Sequence, residues 1–416
     1  MLKLAAASHP LWLCGFRPFF LLTALSAVGL IALWGIFLGH GLPLPSVAGG
    51  PFIWHAHELI FGFSLAAVAG FALTAIPEFT GSTAVAPRPV RLLVALWLVG
   101  RIAFWLSGAL GAPALAIAGL AHLGLVAGLV ALLTPRLLAD PERRHLSFLW
   151  ALLVFALLIA GFYVDALQGK HPARWLYATV GLLMILIVIA ISRISMRIVN
   201  GAIDELNDAN NADSATTTEY RARPPKRNLA IVCIALYTAT EFFAPGARIG
   251  GWLALAAAAA LCHLQSDWHV GRALFRRWPL MLFGVYLLMA AGYGLMGIAL
   301  LAGSDAISAG RHLLTVGALG LNIYVVLNIA GRMHCGHALD ERAWVPLGAA
   351  LIAYAALLRA ATALPGVPAN LLLAISSLCW LLPFALYIWH MGPLLAGPRT
   401  DGGTGCEGII STQGVD

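Results

Sequence analysis

The sequence predicts an all-α, polytopic membrane helix bundle of about twelve transmembrane helices, with both termini in the cytoplasm. Three observations carry this. Only 10% of residues are charged and mean hydropathy is +0.87, whereas soluble domains carry about 25% charged residues to cover their surface. Apolar runs of about 20 residues, the length a helix needs to cross a bilayer, recur along the whole chain. Lys and Arg concentrate in alternate connecting segments, as cytoplasmic loops require. A transmembrane barrel would show short alternating segments instead.

Taken in order, spans are expected at 18–38, 55–77, 90–109, 113–133, 146–165, 173–193, 228–244, 247–264, 279–301, 311–331, 344–364 and 371–391. The seventh and eighth are short, and Pro245-Gly246 between them is a tight turn. With the N-terminus inside, 19 of the 25 Lys and Arg fall on cytoplasmic segments and five on the opposite face, with Arg101 inside the third span. The net charge of +7 thus sets orientation and is no sign of nucleic-acid binding. The first apolar run, from Phe19, is long enough to stay as a span, so no leader is expected. Residues 201–228, rich in Asn, Asp, Thr and Arg, form an expected flexible cytoplasmic linker between six-helix halves at 1–200 and 229–396. The Gly-rich tail at 397–416 is expected to be disordered. No convincing repeat relates the halves, which gives an inverted-repeat transporter little support.

Six cysteines are scattered, without a CxxC pair. That excludes the usual covalent c-type haem attachment and gives no support for a disulfide framework. Any haem would be held by coordination and packing.

Ionisable groups at membrane depth are costly and therefore candidates for function. The stretch Trp54-His55-Ala56-His57-Glu58-Leu59-Ile60-Phe61-Gly62-Phe63 places two imidazoles and a carboxylate at the mouth of the second span. On a helix His55 and His57 are about 200° apart, so both cannot ligate one metal unless the helix starts after them. His55 and Glu58 share a face, while His57 is placed to pair with His312 at the outer end of the tenth span; two helices giving one imidazole each is how bundles hold b-type haem. On the bland alternative, His55 and His57 cap the span and meet headgroups or water. Met333-His334-Cys335-Gly336-His337 supplies soft S and N donors of the kind copper takes, in a polar loop where histidines are also common. Arg101 needs a carboxylate, a haem propionate or carbonyls, and Glu78 is one candidate partner. His122 and His263 are expected to be hydrogen-bonded packing residues. Gly62, Gly70 and Gly317 permit close helix contact.

Several separated stretches resemble the NnrS family of bacterial inner-membrane proteins. They are Gly15-Phe16-Arg17-Pro18-Phe19-Phe20-Leu21, the decapeptide above, Phe71-Ala72-Leu73-Thr74-Ala75-Ile76-Pro77 with Thr80-Gly81, and Leu96-Trp97-Leu98-Val99-Gly100-Arg101. Downstream come His312-Leu313-Leu314-Thr315-Val316-Gly317-Ala318-Leu319-Gly320, Arg332 and Gly336-His337. The resemblance implies a haem b protein, with copper as a second cofactor, tied to nitric oxide metabolism and nitrosative stress in denitrification. It maps His55, His57, Glu58, Arg101, His312 and His337 onto motif positions. Three departures bear on copper in particular. Arg193 is followed by Ile194-Ser195-Met196-Arg197 without the family's Pro, His337 is followed by Ala338-Leu339-Asp340 where Thr-Gly-Arg is usual, and no histidine lies between His269 and His312.

The leading expectation is therefore a haem-binding inner-membrane protein that binds or turns over nitric oxide or relays electrons from an undetermined donor. His55, His57 and His312 are the candidate iron ligands, Arg101 the propionate contact, His337 a further metal ligand, and Glu58 the proton donor. The alternative is a twelve-helix transporter in the lipid bilayer with no redox cofactor. A haem–copper oxidase is set aside because no His-His pair occurs.

Overall fold

The computed structural model describes residues 9–209, 219–403 and 405–407. Among them the chain makes twelve long helical passages: α1 Phe16–His40, α2 Gly50–Phe79, α3 Pro87–Trp105, α4 Ala112–Ala139, α5 Leu146–Leu167, α6 Ala173–Ala209, α7 Pro224–Phe243, α8 Arg248–Gln265, α9 Arg277–Ala302, α10 Ile307–Met333, α11 Trp344–Ala361 and α12 Ala369–Ala396. Ten are long and apolar enough to cross a membrane. The other two, α3 and α7, are 19 and 20 residues long but carry Arg88, Arg91 and Arg101, and Lys226, Arg227 and Glu241.

Local chemistry sets the ends. Pro51, Pro87, Pro113 and Pro224 stand in first turns, where a missing N–H costs nothing. Gly41, at φ 67°, closes α1 in the left-handed conformation. Two passages are not regular α-helix. Glu58–Ser64 in α2 and Leu313–Leu319 in α10 are π-helical, and each begins directly after a histidine. The wider turn rotates the face that follows and leaves carbonyls to be satisfied otherwise; Ser64 Oγ donates to the Leu59 carbonyl at 2.7 Å.

The chain packs as two compact units. Unit 1 comprises Met1–Leu176, Val326–Val345 and Phe384–Asp416; unit 2 comprises Tyr177–Val325 and Pro346–Pro383. Within unit 1, α1 packs on α2, α3 on α4 and α4 on α5; within unit 2, α7 packs on α8, α8 on α9 and α9 on α10. Packing therefore does not divide at 201–228, as the sequence led us to expect. C-terminal segments return to unit 1, where Phe384 meets Phe63 edge-on at 5.6 Å and the Tyr387 hydroxyl donates to the Leu327 carbonyl at 3.4 Å.

The expected linker is also partly structured. Helix α6 continues past the apolar span to Ala209, because Ile198-Val199-Asn200-Gly201-Ala202-Ile203 still favours one buried face after hydropathy has fallen. After 210–218, which lie outside the described residues, Tyr220 docks into unit 2. Its N–H donates to Asn200 Oδ1 at 2.9 Å and its ring meets Trp268 at 5.1 Å. The tail likewise differs from expectation over its described part. Arg399 is buried and donates to the carbonyls of His334, Gly405 and Glu407, and Cys406 is joined to Cys14 by a disulfide that the scattered cysteines did not foretell.

Candidate functional site

Helix α2 opens on Gly50-Pro51, and its two histidines go different ways. His55 stacks on Trp34 of α1, ring centroids 4.2 Å apart and 20° from parallel. His57 turns inward and is fully buried, lying on the Phe104 ring of α3 at 3.4 Å with Phe61 and Phe162 around it. Glu58 is buried with His57, not with His55. Backbone register up to Glu58 is ordinary α-helix, with the Glu58 N–H bonding the Trp54 carbonyl, so it is side-chain direction that separates the two residues expected on one face: His55 lies on Trp34 while Glu58 turns inward with His57.

Inside unit 1 a chain of hydrogen bonds runs through four fully or almost fully buried side chains. His57 Nδ1 lies 2.9 Å from Glu58 Oε1, and His57 Nε2 lies 2.8 Å from the Tyr163 hydroxyl. That hydroxyl is also 2.8 Å from His122 Nδ1. A phenol has one proton to donate. With neutral imidazoles one assignment satisfies every contact: His57 Nδ1–H donates to Glu58, Tyr163 O–H to His57 Nε2, and His122 Nδ1–H to the Tyr163 oxygen. It leaves His122 Nε2 as a lone-pair nitrogen, and that atom is buried with no hydrogen-bond partner. A proton entering there, passed along each bond in turn, arrives at Glu58 without any heavy atom moving far.

Arg101 of α3 pairs with Glu58 and holds its guanidinium 4.8 Å from the centroid of the Trp97 ring. It reaches the carboxylate across Gly62, where any side chain would collide with the guanidinium. The Gly62 carbonyl in turn accepts from Trp97 Nε1 at 3.0 Å. One π-helical turn thus supplies the carboxylate and the gap through which its counter-ion enters. An ion pair, one of the alternatives weighed for Arg101, is present. Glu78 instead lies 3.5 Å from His334 Nε2.

The metal candidates divide by how their nitrogens are used. His57 does not fit a ligand role: both ring nitrogens are engaged by protein groups and aromatic rings cover its faces. His55 keeps its ring face on Trp34. His312 fits best. Its Nδ1 lies 2.7 Å from the Ser308 carbonyl, which fixes Nδ1 as the protonated nitrogen and puts the ring's lone pair on Nε2. It belongs to unit 2 and His57 to unit 1. His337, in the loop after α10, lies 3.5 Å from Thr400 Oγ1, and burial together with Arg332 holds its pKa below the usual imidazole value. Among the described residues no three His, Cys, Asp or Glu side chains are grouped to hold a metal ion.

Sequence reasoning placed His122 correctly as a hydrogen-bonded packing residue and missed Tyr163 as its partner. A tyrosine two residues before Asp165 at the end of an apolar span was the available signal. It also missed that His57-Glu58-Leu59-Ile60-Phe61-Gly62 and His312-Leu313-Leu314-Thr315-Val316-Gly317 share His, Leu and Gly at one register, which marks both π-helical turns.

Compared with known proteins, residues 10–399 match the family model described as NnrS protein. No curated protein matches the chain.

Proposed function

Because this chain belongs to the NnrS family, we propose that it works in the bacterial inner membrane, both termini in the cytoplasm, as a haem b protein of nitric oxide metabolism that relieves nitrosative stress. The observation that carries most weight is the buried chain Arg101–Glu58–His57–Tyr163–His122, because charge and polar groups at membrane depth are retained for a task. The bound haem would supply an iron that takes nitric oxide and exchanges one electron.

The chain's own residues do the rest. His312 offers Nε2, oriented by the bond to the Ser308 carbonyl. Glu58 is the proton store: Arg101 offsets its charge, and His57 carries a proton between it and Tyr163. The aromatic rings of Phe61, Phe104 and Phe162 exclude water from this relay. No step is assigned to copper.

Purified protein, loaded with haem during expression, should give a pyridine haemochrome of the b type. His312→Ala should lose the Soret band. His57→Ala should keep it while lowering thermal stability. A folded, haem-free protein from haem-supplemented cells would end the haem reading and favour the transporter alternative. Loss of the Soret band in a stable His57→Ala protein would move the ligand to α2.

A further inference from the structure

One end of unit 1 holds a second cluster that the nitric oxide reading does not use. Cys14, just before α1, is bonded to Cys406 across a sequence separation of 392 residues. Arg17, one helical turn on, is fully buried; its Nη1 donates to the carbonyls of Pro10, Leu395 and Gly397, at 3.2, 3.3 and 2.6 Å. Its Nε and Nη2 are buried without hydrogen-bond partners. Arg399 holds the C-terminal segment from the other side. It pairs with Asp401 and donates to the His334, Gly405 and Glu407 carbonyls. His334 Nδ1 lies 2.7 Å from the Cys406 carbonyl oxygen. Every link but one in this arrangement is non-covalent and reversible.

We propose that Cys14 and Cys406 are a redox-active pair, a dithiol–disulfide clasp that fastens the segment 397–407 onto the end of unit 1. A further observation supports reversibility. The Lys and Arg asymmetry assigns this end, with Arg17, Arg332, Arg342 and Arg399, to the cytoplasm, where glutathione keeps thiols reduced and a disulfide is normally transient. Cys406 also lies beyond residue 399, where the family match ends. The nearby Cys335 is a poor exchange partner: burial pushes its thiol pKa up, against the opposing pull of Arg17 and Arg399.

Closing uses a low-molecular-weight disulfide as oxidant. One Cys thiolate attacks it, releasing one small thiol. The other thiolate then attacks the mixed disulfide, forming the Cys14–Cys406 bond and releasing the second. Two protons leave the cysteines and two small thiols are made. Opening is the reverse, with a dithiol as the electron donor. Cys14 is completely covered and Cys406 slightly less so, so reductant attacks the Cys406 sulfur after the tail lifts.

The inference rests on the proposed orientation and not on haem binding, and its test separates the two. Full-length protein in native membranes is treated with oxidised glutathione or dithiothreitol, acid-quenched and mapped by differential alkylation and mass spectrometry. Cys14 and Cys406 should be mostly thiol in growing cells, convert together to the linked peptide with oxidised glutathione, and return with dithiothreitol. A C-terminal epitope should become severalfold more protease-sensitive on reduction. C406S should show the sensitive state under both conditions, and C335S should behave as wild type. A link resistant to dithiothreitol in the folded protein, a pair that never oxidises, or tail protection unaffected by redox state would each overturn the proposal. Orientation is scored independently by alkylating loop cysteines from one side of sealed vesicles, and haem content by absorbance.

Discussion

The ion pair between Glu58 and Arg101 can be tested by removing its charges one at a time and then together. Both partners are almost completely buried in unit 1. Glu58→Gln keeps the shape but leaves the Arg101 charge without a counter-ion, and two of its nitrogens, Nε and Nη1, already lack partners. Arg101→Met takes the counter-ion from the carboxylate and leaves it the His57 contact at 2.9 Å. Breaking a buried pair from one side costs about 3–5 kcal/mol, because the surviving charge stays buried. In a membrane the low end applies, since the unfolded reference also finds polar partners. Each single variant should therefore lose about 3 kcal/mol, roughly a hundredfold in the folding equilibrium. The double variant buries no charge and should lose about 1–2 kcal/mol, less than either single. The assay is unfolding of detergent-purified protein, followed by tryptophan fluorescence in a denaturant series. Losses that simply add in the double variant would refute a coupled pair, as would singles within about 0.5 kcal/mol of wild type.

Three further outcomes follow from the same geometry. Gly62→Ala places a methyl group on the Arg101 guanidinium and should cost about as much as breaking the pair, whereas Gly317→Ala meets only Ala356 and Leu288 carbons at 3.2 and 3.4 Å and should cost far less; thermal unfolding of the two compares them directly. Tyr163→Phe removes the partner of both His57 and His122 and should destabilise by about 1–3 kcal/mol per orphaned nitrogen, with unchanged stability counting against the relay. In the loop after α10, burial pushes the Asp340 carboxyl up, but hydrogen bonds from Arg342 and the charge of Arg332 outweigh it and hold the pKa at about 2, below its usual 3.8. A depressed carboxylate pKa gives stability that is present above the unfolded value and lost as pH falls through the folded one, here between about pH 4 and pH 2. The shift corresponds to about 2 kcal/mol, so Asp340→Asn should cost about that at pH 7 and almost nothing at pH 2 in a pH series of denaturant melts.

Ten of the expected spans were legible on helices long and apolar enough to cross a membrane, because bilayer thickness fixes the length of an apolar run, while the expected span 90–109 runs past the end of α3 at Trp105. Extensions beyond the bilayer were not, since hydropathy stops reporting where α6 leaves the apolar region and continues to Ala209. At the site, the ionisable residues stood out singly. Their partners did not, because they lie on other helices, and a 3.6-residue count along one helix does not report which neighbour each face meets. The pairing of His57 with Tyr163 joins residues 106 apart, and the Cys14–Cys406 link spans most of the chain. Such contacts are set by packing alone.

The chain also contains a comparison that bears on why the buried charges are kept. The order α1–α4 recurs as α9–α12: 25 and 26 residues in the first helices, 19 and 18 in the third, 28 and 28 in the fourth, with a π-helical turn after a histidine in each second helix. The sequence alone gave no convincing repeat, because few side chains are shared. The spacing that relates His57 to His312 and Gly62 to Gly317 also relates Arg101 to Ala356, the residue that meets Gly317. Glu58 answers to Leu313. Gly100 answers to Ala355 at the same spacing; where His122 lies against Gly100, Ser376, one residue before the position that answers to His122, bonds the Ala355 carbonyl at 2.8 Å. The second copy therefore makes the same helix, π-turn and glycine contact with a leucine and an alanine in place of the charged pair. Building this arrangement does not require an ion pair, so its retention in the first copy at a desolvation cost of several kcal/mol per ion points to the chemistry of Glu58 and its relay, not to architecture. On this reasoning Glu58→Leu with Arg101→Ala should still fold, at a cost of about 1–3 kcal/mol for the orphaned His57 Nδ1, while losing the function the pair serves. A double variant that fails to fold would return the pair to a structural role.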